Sequence, residues 1–268
     1  MNAPLSEVKL ASIMTTNEPQ GTVALAMRDQ MAQETVISLL GTHWPDNVDK
    51  RFIQGSILTL QRNALIAAMR GEWILFIDDD MVWEPDAVTR LVKRFHELGE
   101  QGLEVDILGA LCFRRGHPFN PTLYMRKGDG QGPYTFLENW GTDVVEVDAT
   151  GMAFALVSLK CLERLGGPLP PYEERANSER HPDYFQWRGA MGEDLRFCQD
   201  VKALGGRVFV DTTIQTRHIG SLNIGLNTWL GAMAARPQGA FLEVQADNDA
   251  LDLPTLSPDE AAKWRKTL

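Results

Sequence analysis

The sequence passes from five apolar residues directly into three aspartates, in the stretch Trp73-Ile74-Leu75-Phe76-Ile77-Asp78-Asp79-Asp80. A short, wholly apolar run of this kind is typical of a strand that is buried on both faces of a parallel sheet. Glu84, Pro85 and Asp86 then open a predicted helix that reaches Leu98, because proline suits the first helical turn and acidic side chains complement the helix dipole there. The stretch therefore predicts a strand, an acidic turn and a helix in succession.

The rest of the sequence continues this alternation. The further predicted strands are Val8 to Met14, Val105 to Ala110, Val144 to Val147, Met152 to Val157 and Arg207 to Val210. The further predicted helices are Thr22 to Ala32, Leu60 to Met69, a short one that ends at Leu165, and Asp194 to Leu204, while Thr35 to Gly41 and Phe52 to Leu58 compete for the second strand. Strands that alternate with helices predict an α/β fold with a parallel, doubly wound sheet. Ligands of such sheets bind beyond the carboxyl ends of the strands, which is where the three aspartates fall.

The composition is that of an ordinary globular protein, and it excludes some functions. The formal net charge of −10 argues against a dedicated nucleic-acid-binding protein, since phosphate recognition normally needs a basic surface. Cys112, Cys161 and Cys198 fit no metal-ligand spacing and are typical of reduced thiols inside cells. The first ten residues lack the apolar segment of a signal peptide, and no apolar run approaches the roughly 20 residues of a membrane span. The chain is therefore expected to be cytoplasmic.

One stretch departs from this acidic character. Between Cys112 and Gly128 the chain has no acidic residue, and its basic residues are Arg114, Arg115, His117, Arg126 and Lys127. Charge runs of this kind are usually solvated loops. The functional alternatives are contact with a diphosphate or with a polyanionic acceptor.

The aspartate triplet is the first candidate site. Three adjacent carboxylates repel one another unless something positive neutralises them. Oxygen ligands of this kind favour Mg²⁺ or Mn²⁺, and such an ion can in turn hold a diphosphate. The alternative interpretation is an acidic turn exposed to solvent.

Two later segments carry further candidate groups. Glu193 and Asp194 follow Gly192 at the start of a predicted helix, where a carboxylate either complements the helix dipole or takes a proton from an acceptor hydroxyl in a cleft. His218 follows a strand that ends near Asp211, and it is either a structural histidine or a metal ligand.

Taken in order, these motifs resemble those of the family 2 glycosyltransferases and their GT-A relatives, over roughly residues 8 to 220. The family's Arg-Asn helix, strand and Asp-x-Asp are similar to Gln61-Arg62-Asn63 and Phe76-Ile77-Asp78-Asp79-Asp80. Its strand-glycine-strand segment is similar to Val145 through Phe154, and its run from Glu-Asp to His is similar to Glu193 through His218. The resemblance implies a GT-A fold, with a mostly parallel central sheet flanked by helices and a small antiparallel subsheet on the acceptor side.

The resemblance also implies an activity and a set of roles. The chain would move a sugar from a nucleotide-diphosphate sugar, expected to be a UDP-sugar, to an acceptor hydroxyl with the help of Mn²⁺ or Mg²⁺. Asp80 and His218 would bind the metal, and Asp78 would reach the metal or the ribose of the donor. Asp194 would be the general base of a single displacement that inverts the anomeric carbon, with Glu193 orienting the acceptor or sharing that task. The remaining residues that the resemblance assigns to the donor are Thr15, Thr16, Arg62, Asn63, Asp79, Asp148 and Gly151.

The nucleotide base and the acceptor stay open at this point. The acidic residue that reads the base in the family has no evident match, because Asp46 and Asp49 fall in a loop that does not align. Residues 1–220 are interpreted as the catalytic domain and residues 221–268 as a C-terminal extension that forms a lid, an acceptor platform or an oligomer contact. The acceptor is expected to be a glycan or a small molecule. A hydroxymethylated DNA base is the further option, if the chain resembles phage-encoded transferases that act in the host cytoplasm.

Two other functions fit parts of the pattern. An apolar run followed by Asp78-x-Asp80 is also the entry motif of phosphohydrolases of the haloacid dehalogenase type, in which Asp78 would be a nucleophile. That family places the motif at its first strand and needs a later lysine context, which this sequence does not offer. The second alternative is an inactive sugar-binding module, and the presence of the acids and of His218 argues against it.

Overall fold

The computed structural model describes residues 9–13, 18–126, 134–176, 178, 183–187, 191–220 and 223–234. Its strands are β1 (Lys9–Ile13), β2 (Gly21–Met27), β3 (Val48–Gln54), β4 (Trp73–Asp78), β5 (Met81–Trp83), β6 (Ile107–Leu111), β7 (Tyr124–Arg126), β8 (Tyr134–Phe136), β9 (Val144–Val147), β10 (Phe154–Ser158), β11 (Val208–Ile219) and β12 (Asn223–Ile224). Its helices are α1 (Gln33–Gly41), α2 (Leu58–Ala67), α3 (Ala87–Glu100), α4 (Leu159–Gly166), α5 (Tyr172–Ala176), α6 (Glu193–Ala203) and α7 (Leu226–Ala234). Among these described helices, none has the length and apolar character needed to cross a membrane.

Ten strands form the central sheet, in the order β1-β3-β2-β4-β10-β6-β11-β12, with β5 and β9 also paired to β11. Strands β2, β3 and β4 are parallel, as are β6 and β11. Strand β10 is antiparallel to both β4 and β6, so β4 and β6 point the same way. The five strands β2, β3, β4, β6 and β11 therefore share one direction. Strands β7 and β8 form a separate antiparallel pair. The predicted class, an α/β fold with a mostly parallel central sheet and a small antiparallel subsheet, is confirmed.

Helices pack on both faces of the central sheet. On one face, Ile66 of α2 and Phe197 of α6 belong to the same buried cluster as Phe76 of β4. On the other face, Leu91 of α3 packs in a second cluster with Leu75 of β4. Successive side chains of a strand point to opposite faces, so β4 contributes to both clusters. This double burial is the reason that its sequence is apolar without alternation.

One predicted helix is wrong. Residues Thr22 to Ala32 were predicted to be helical, and Ala24 and Ala26 do favour helices, but the chain forms strand β2 over Gly21–Met27. Ala24 and Leu25 are fully buried, and β2 lies between β3 and β4 as an interior strand. The burial of this run in the sheet outweighs the intrinsic preference of alanine.

The strand predicted as the second one is β3 in the structure, and it coincides with neither of its two candidate stretches. Thr35 to Gly41 lies in helix α1, and the strand β3 begins four residues before the other candidate, at Val48. Charged residues hid its start in the sequence, because Asp49 and Arg51 lie inside β3. They are buried together as an ion pair of 3.1 Å, which neutralises both charges.

Strand β11 is much longer than the predicted Arg207 to Val210. It continues to Ile219 because its second half pairs antiparallel with β5, matching Thr216 to Trp83 and His218 to Met81. The other predicted elements from β4 to α6 appear within a few residues of their expected bounds.

Part of the predicted C-terminal extension packs on the central sheet. Ile224 of β12 pairs with His218, and the ring of Trp229 in α7 lies 6.2 Å from Phe113 and 4.9 Å from Trp140 between centroids. The division at residue 220, and the role of the extension as a lid, acceptor platform or oligomer contact, stay predictions.

Candidate active site

The short strand β5 brings Asp80 and His218 together. Asp78 ends β4, and the chain turns through Asp79 and Asp80 directly into β5. Because β5 pairs with β11 so that Met81 faces His218, the imidazole lies beside the residue that precedes Met81, which is Asp80. The backbone N–H of Ile219 also donates to the carbonyl of Asp80 at 2.8 Å, which fixes this register.

Asp80 and His218 form a pair suited to a metal ion. The Nε2 atom of His218 lies 3.1 Å from Oδ1 of Asp80, close to the separation of two adjacent ligands around an ion with bonds of about 2.1 Å. The Nδ1 atom lies 3.0 Å from the carbonyl of Phe113. A histidine that donates Nδ1–H to a backbone carbonyl directs the lone pair of Nε2 toward a metal. Among the described residues, however, no group of three or more His, Cys, Asp or Glu side chains is arranged to hold an ion.

Asp80 also contacts Arg115, and the groups around its carboxylate shift its pKa. Burial raises the pKa of Asp80, whereas its hydrogen bond and charge interaction with His218 lower it. The charges of Arg115 and Arg28 act in the same direction, so the pKa lies below its usual value. The carboxylate is therefore ionised at neutral pH, as a metal ligand must be.

A buried arginine links the first aspartate to the start of α6. Arg62 is only 2% exposed, and its guanidinium donates to Oδ1 of Asp78 at 3.0 Å and to Oε1 of Glu193 at 2.7 Å. Its charge centre lies 5.4 Å from the ring centroid of Phe185. The structure thus brings Asp78 and Glu193 to the same cation, and it does not bring Asp78 into the pair formed by Asp80 and His218.

Asp194 is the carboxylate with the most perturbed acidity in this group. Burial and, to a lesser extent, the neighbouring charge of Glu193 raise its pKa to about 6, although the charge of Arg62 opposes both effects. Its Oδ1 atom accepts from the backbone N–H of Leu195 at 2.7 Å, so part of the carboxylate is used at the helix start. The Oδ2 atom lies toward Gly151, where an added Cβ would come within 3.7 Å of it.

Three of the predicted donor residues have structural contacts of their own. The carboxylate of Asp79 accepts from the backbone N–H of Arg28 at 2.9 Å. The carboxylate of Asp148 accepts from the N–H of Arg126 at 2.7 Å. The amide of Asn63 bonds to the backbone of Phe185 in both directions, at 2.8 and 3.0 Å. Their predicted contact with the donor stays a prediction.

Thr15 and Thr16 lie outside the described residues. Ile13, the last described residue before them, pairs with Lys50 at the amino end of β3. That end of the parallel strands is opposite to the carboxyl end at which Asp78 lies.

The comparisons with known proteins support the resemblance seen in the sequence. Residues 46–141 match the model of glycosyl transferase family 2. This match contains Arg62, Asn63 and the aspartate triplet, whereas Glu193, Asp194 and His218 lie beyond it. The family 2 match supports glycosyltransferase activity with a nucleotide-sugar donor.

The crystal structure of A197 from STIV is similar over 74% of this chain and 85% of that chain, with 14% sequence identity and a TM-score of 0.45. No curated protein matches the sequence.

Two arginines that were not among the predicted site residues, Arg28 and Arg115, lie near the aspartates in the structure. Arg28 follows strand β2 at the carboxyl edge of the sheet, and the wrong helix prediction for Thr22 to Ala32 concealed that position. The rule that ligands bind beyond the carboxyl ends of parallel strands would have found it, had β2 been predicted. The sequence marks Arg115 only as part of a basic run, whereas in the structure its Nη1 atom donates to Oδ2 of Asp80 at 2.8 Å.

Asn63 is expected to hold the segment of Phe185 in place. Asn63→Ala would leave the buried N–H and carbonyl of Phe185 without partners, at a cost of about 2–4 kcal/mol of unfolding free energy. Urea unfolding measures this change. The matched control is Asn227→Ala on the exposed side of α7, which should change the free energy by less than about 0.5 kcal/mol. Equal effects of the two substitutions would contradict the role of Asn63.

Asp194→Asn is expected to stabilise the protein at neutral pH. The folded-state pKa of about 6 is above the ordinary value of 3.8, so the folded protein holds this proton more tightly than the unfolded chain does. The ionised carboxylate therefore costs folding free energy fully above about pH 6, and the cost fades as the pH falls toward 3.8. We expect a gain on the order of 1–3 kcal/mol at pH 7.5 and about a third of it at pH 4.5, from urea unfolding at both pH values. A gain that does not depend on pH would contradict the raised pKa.

Proposed function

We propose that this chain is a metal-dependent glycosyltransferase that moves a sugar from a nucleoside-diphosphate sugar, expected to be a UDP-sugar, to an acceptor hydroxyl with inversion at the anomeric carbon. The observation that carries the proposal is the convergence of four distant segments, which bring Asp78, Asp80, Arg62, the Glu193-Asp194 pair and His218 to the carboxyl edge of one sheet. The family 2 match over residues 46–141 supports the class of reaction.

Asp80 and His218 would hold the Mn²⁺ or Mg²⁺ ion, and Asp78 would bind the ion or the ribose. When bound, the ion supplies a Lewis acid that neutralises the negative charge on the leaving diphosphate. His218 stays oriented for this task through its hydrogen bond to Phe113. Arg62 holds Asp78 in place from its buried position.

Asp194 would act as the general base. Its carboxylate takes the proton from the acceptor hydroxyl while the hydroxyl oxygen bonds to the anomeric carbon and the bond from that carbon to the diphosphate oxygen breaks. A pKa of about 6 leaves Asp194 ionised at pH 7 and makes it a stronger base than an exposed aspartate. Glu193 raises this pKa by its charge, and Arg62 fixes Glu193 by a hydrogen bond of 2.7 Å. Helix α6 therefore carries the base and the group that adjusts its basicity side by side.

The first experiment is a donor screen. The chain is incubated with UDP-, GDP-, TDP- and CMP-sugars in the presence of Mn²⁺, and mass spectrometry detects the released nucleotide. We expect release of a nucleoside diphosphate from one donor class, prevented by EDTA. Release of inorganic phosphate from a generic phosphate ester, without turnover of any sugar nucleotide, would instead support the phosphohydrolase alternative and overturn the proposal.

Acceptor trials follow with the donor that reacts. They include oligosaccharides, small hydroxylated molecules and DNA that contains hydroxymethylated bases. We expect a glycan or small-molecule acceptor, because the net charge of −10 disfavours tight binding to DNA.

A cytoplasmic location remains the expectation from the sequence.

A further inference from the structure

Both carboxylate oxygens of Asp80 are occupied by cationic or potentially cationic partners. Oδ1 lies 3.1 Å from Nε2 of His218, and Oδ2 accepts from Nη1 of Arg115 at 2.8 Å. A divalent ion bound to Asp80 would come next to the guanidinium of Arg115, and two cations at such a distance repel each other strongly. Arg115 and the metal therefore compete for the same carboxylate.

The two arginines that contact the aspartates differ in their freedom to move. Arg62 is 2% exposed and is held by Asp78, Glu193 and the ring of Phe185. Arg115 is 50% exposed, so the loss of its contact with Asp80 would leave a solvated guanidinium instead of a buried, unpaired charge. Arg115 can release its carboxylate at small cost, and Arg62 cannot.

The loop that carries Arg115 has a fixed base and an exposed tip. Its base is closed by the bridge between Phe113 and Pro121 and by the hydrogen bond from the N–H of Arg114 to the carbonyl of Asn120. Phe113 is fully buried, and its carbonyl is the partner of Nδ1 of His218. The loop base therefore keeps His218 oriented whether or not Arg115 at the tip contacts Asp80.

We propose that Arg115 exchanges Asp80 for the diphosphate of the donor when the metal binds, an inference that rests on the proposed function. In the donor-free protein the guanidinium neutralises Asp80. Once a divalent ion takes that carboxylate, the released guanidinium turns away from the ion and pairs with the phosphate oxygens that the ion attracts, for which its fork of N–H donors is suited. Arg115 is thus a diphosphate-binding residue whose engagement is coupled to metal entry.

The exchange predicts effects of opposite sign on two ligands. Arg115→Ala removes the competitor for Asp80, so Mn²⁺ without nucleotide should bind about two- to fivefold more tightly, the range expected for a half-exposed ion pair. The same variant lacks a partner for the phosphate groups. A nucleoside diphosphate in the presence of Mn²⁺ should therefore bind to it at least about tenfold more weakly than to the wild type. Electron paramagnetic resonance of free Mn²⁺ measures the first affinity, and isothermal titration with UDP, GDP, TDP and ADP measures the second.

The matched control is Arg207→Ala. Arg207 pairs with Glu146 at 2.7 Å, much as Arg115 pairs with Asp80, but it precedes β11 at the opposite edge of the sheet. It should leave both affinities unchanged, and Arg115→Gln should repeat the two shifts of Arg115→Ala.

The outcomes separate the two proposals. Tighter Mn²⁺ binding together with weaker nucleotide binding in the Arg115 variants supports the exchange. If the wild-type chain binds both ligands but the Arg115 variants leave either affinity unchanged, or weaken both, the exchange is wrong while the proposed function stands. If the wild-type chain binds neither Mn²⁺ nor any of the four nucleotides, the proposed function fails and the exchange fails with it.

Discussion

Asp80→Asn is expected to abolish metal-dependent turnover. The substitution keeps the size of the side chain but removes the negative charge that lies 3.1 Å from Nε2 of His218. A neutral amide is a poor ligand for Mn²⁺ or Mg²⁺, and losing the Lewis acid removes several kcal/mol of transition-state stabilisation. We expect kcat/KM for donor turnover to fall by at least about 10³-fold in saturating Mn²⁺. Release of nucleoside diphosphate, followed by mass spectrometry, gives this rate.

The control for Asp80→Asn is Asp86→Asn, the same replacement at an exposed position. Asp86 precedes α3, is 55% exposed and makes a 3.8 Å ion pair with Arg90. Asp86→Asn should leave turnover within about twofold of wild type, because exposed pairs of this kind contribute little. Wild-type turnover in Asp80→Asn would remove Asp80 from the metal site.

Asp194→Asn is expected to lower kcat by 10²–10⁴-fold, the range typical for the loss of a general base. Donor affinity should stay within a few-fold of wild type, since the role proposed for Asp194 concerns the acceptor proton. Initial rates and equilibrium titration with the donor separate these two quantities. The same variant is expected to be more stable than wild type at pH 7.5, so a loss of kcat could not be attributed to unfolding.

The pH dependence of the wild-type enzyme provides an independent check of this role. Because the pKa of Asp194 lies at about 6, kcat should fall as the pH decreases through that value, when the base becomes protonated. Asp194→Asn should lack this inflection. Reduced donor affinity with an unchanged kcat would contradict the assignment of Asp194 as the base.

The sequence predicted the central half of the fold because its strands there are uniformly apolar. Strand β4 is buried on both faces, and burial of this kind leaves a direct pattern in the sequence. Strand β2 was missed because its alanines favour a helix, and only its position between two other strands makes it extended. Strand β3 was misplaced because its buried Asp49 and Arg51 neutralise each other, a pairing that no single-residue pattern reveals.

The candidate site was predicted as separate motifs, and the pairing between them was not. The sequence indicated Asp80 and His218, but the register of β5 against β11 sets their contact, and β5 is too short to leave a clear pattern. The sequence likewise gave no means to divide the carboxylates into two groups, one held by Arg62 and one facing His218. Arg115 is the clearest case, because a basic loop usually faces solvent and only its distance from Asp80 relates it to the site.

The most direct measurement for the metal site is the anomalous diffraction of manganese in crystals grown with Mn²⁺ and a nucleoside diphosphate. We expect one strong anomalous peak, from an ion coordinated directly by a carboxylate oxygen of Asp80 and by Nε2 of His218, with the diphosphate bound to the same ion. A peak at another place in the chain, or a bound nucleotide with His218 and Asp80 still in contact and no ion between them, would contradict this expectation.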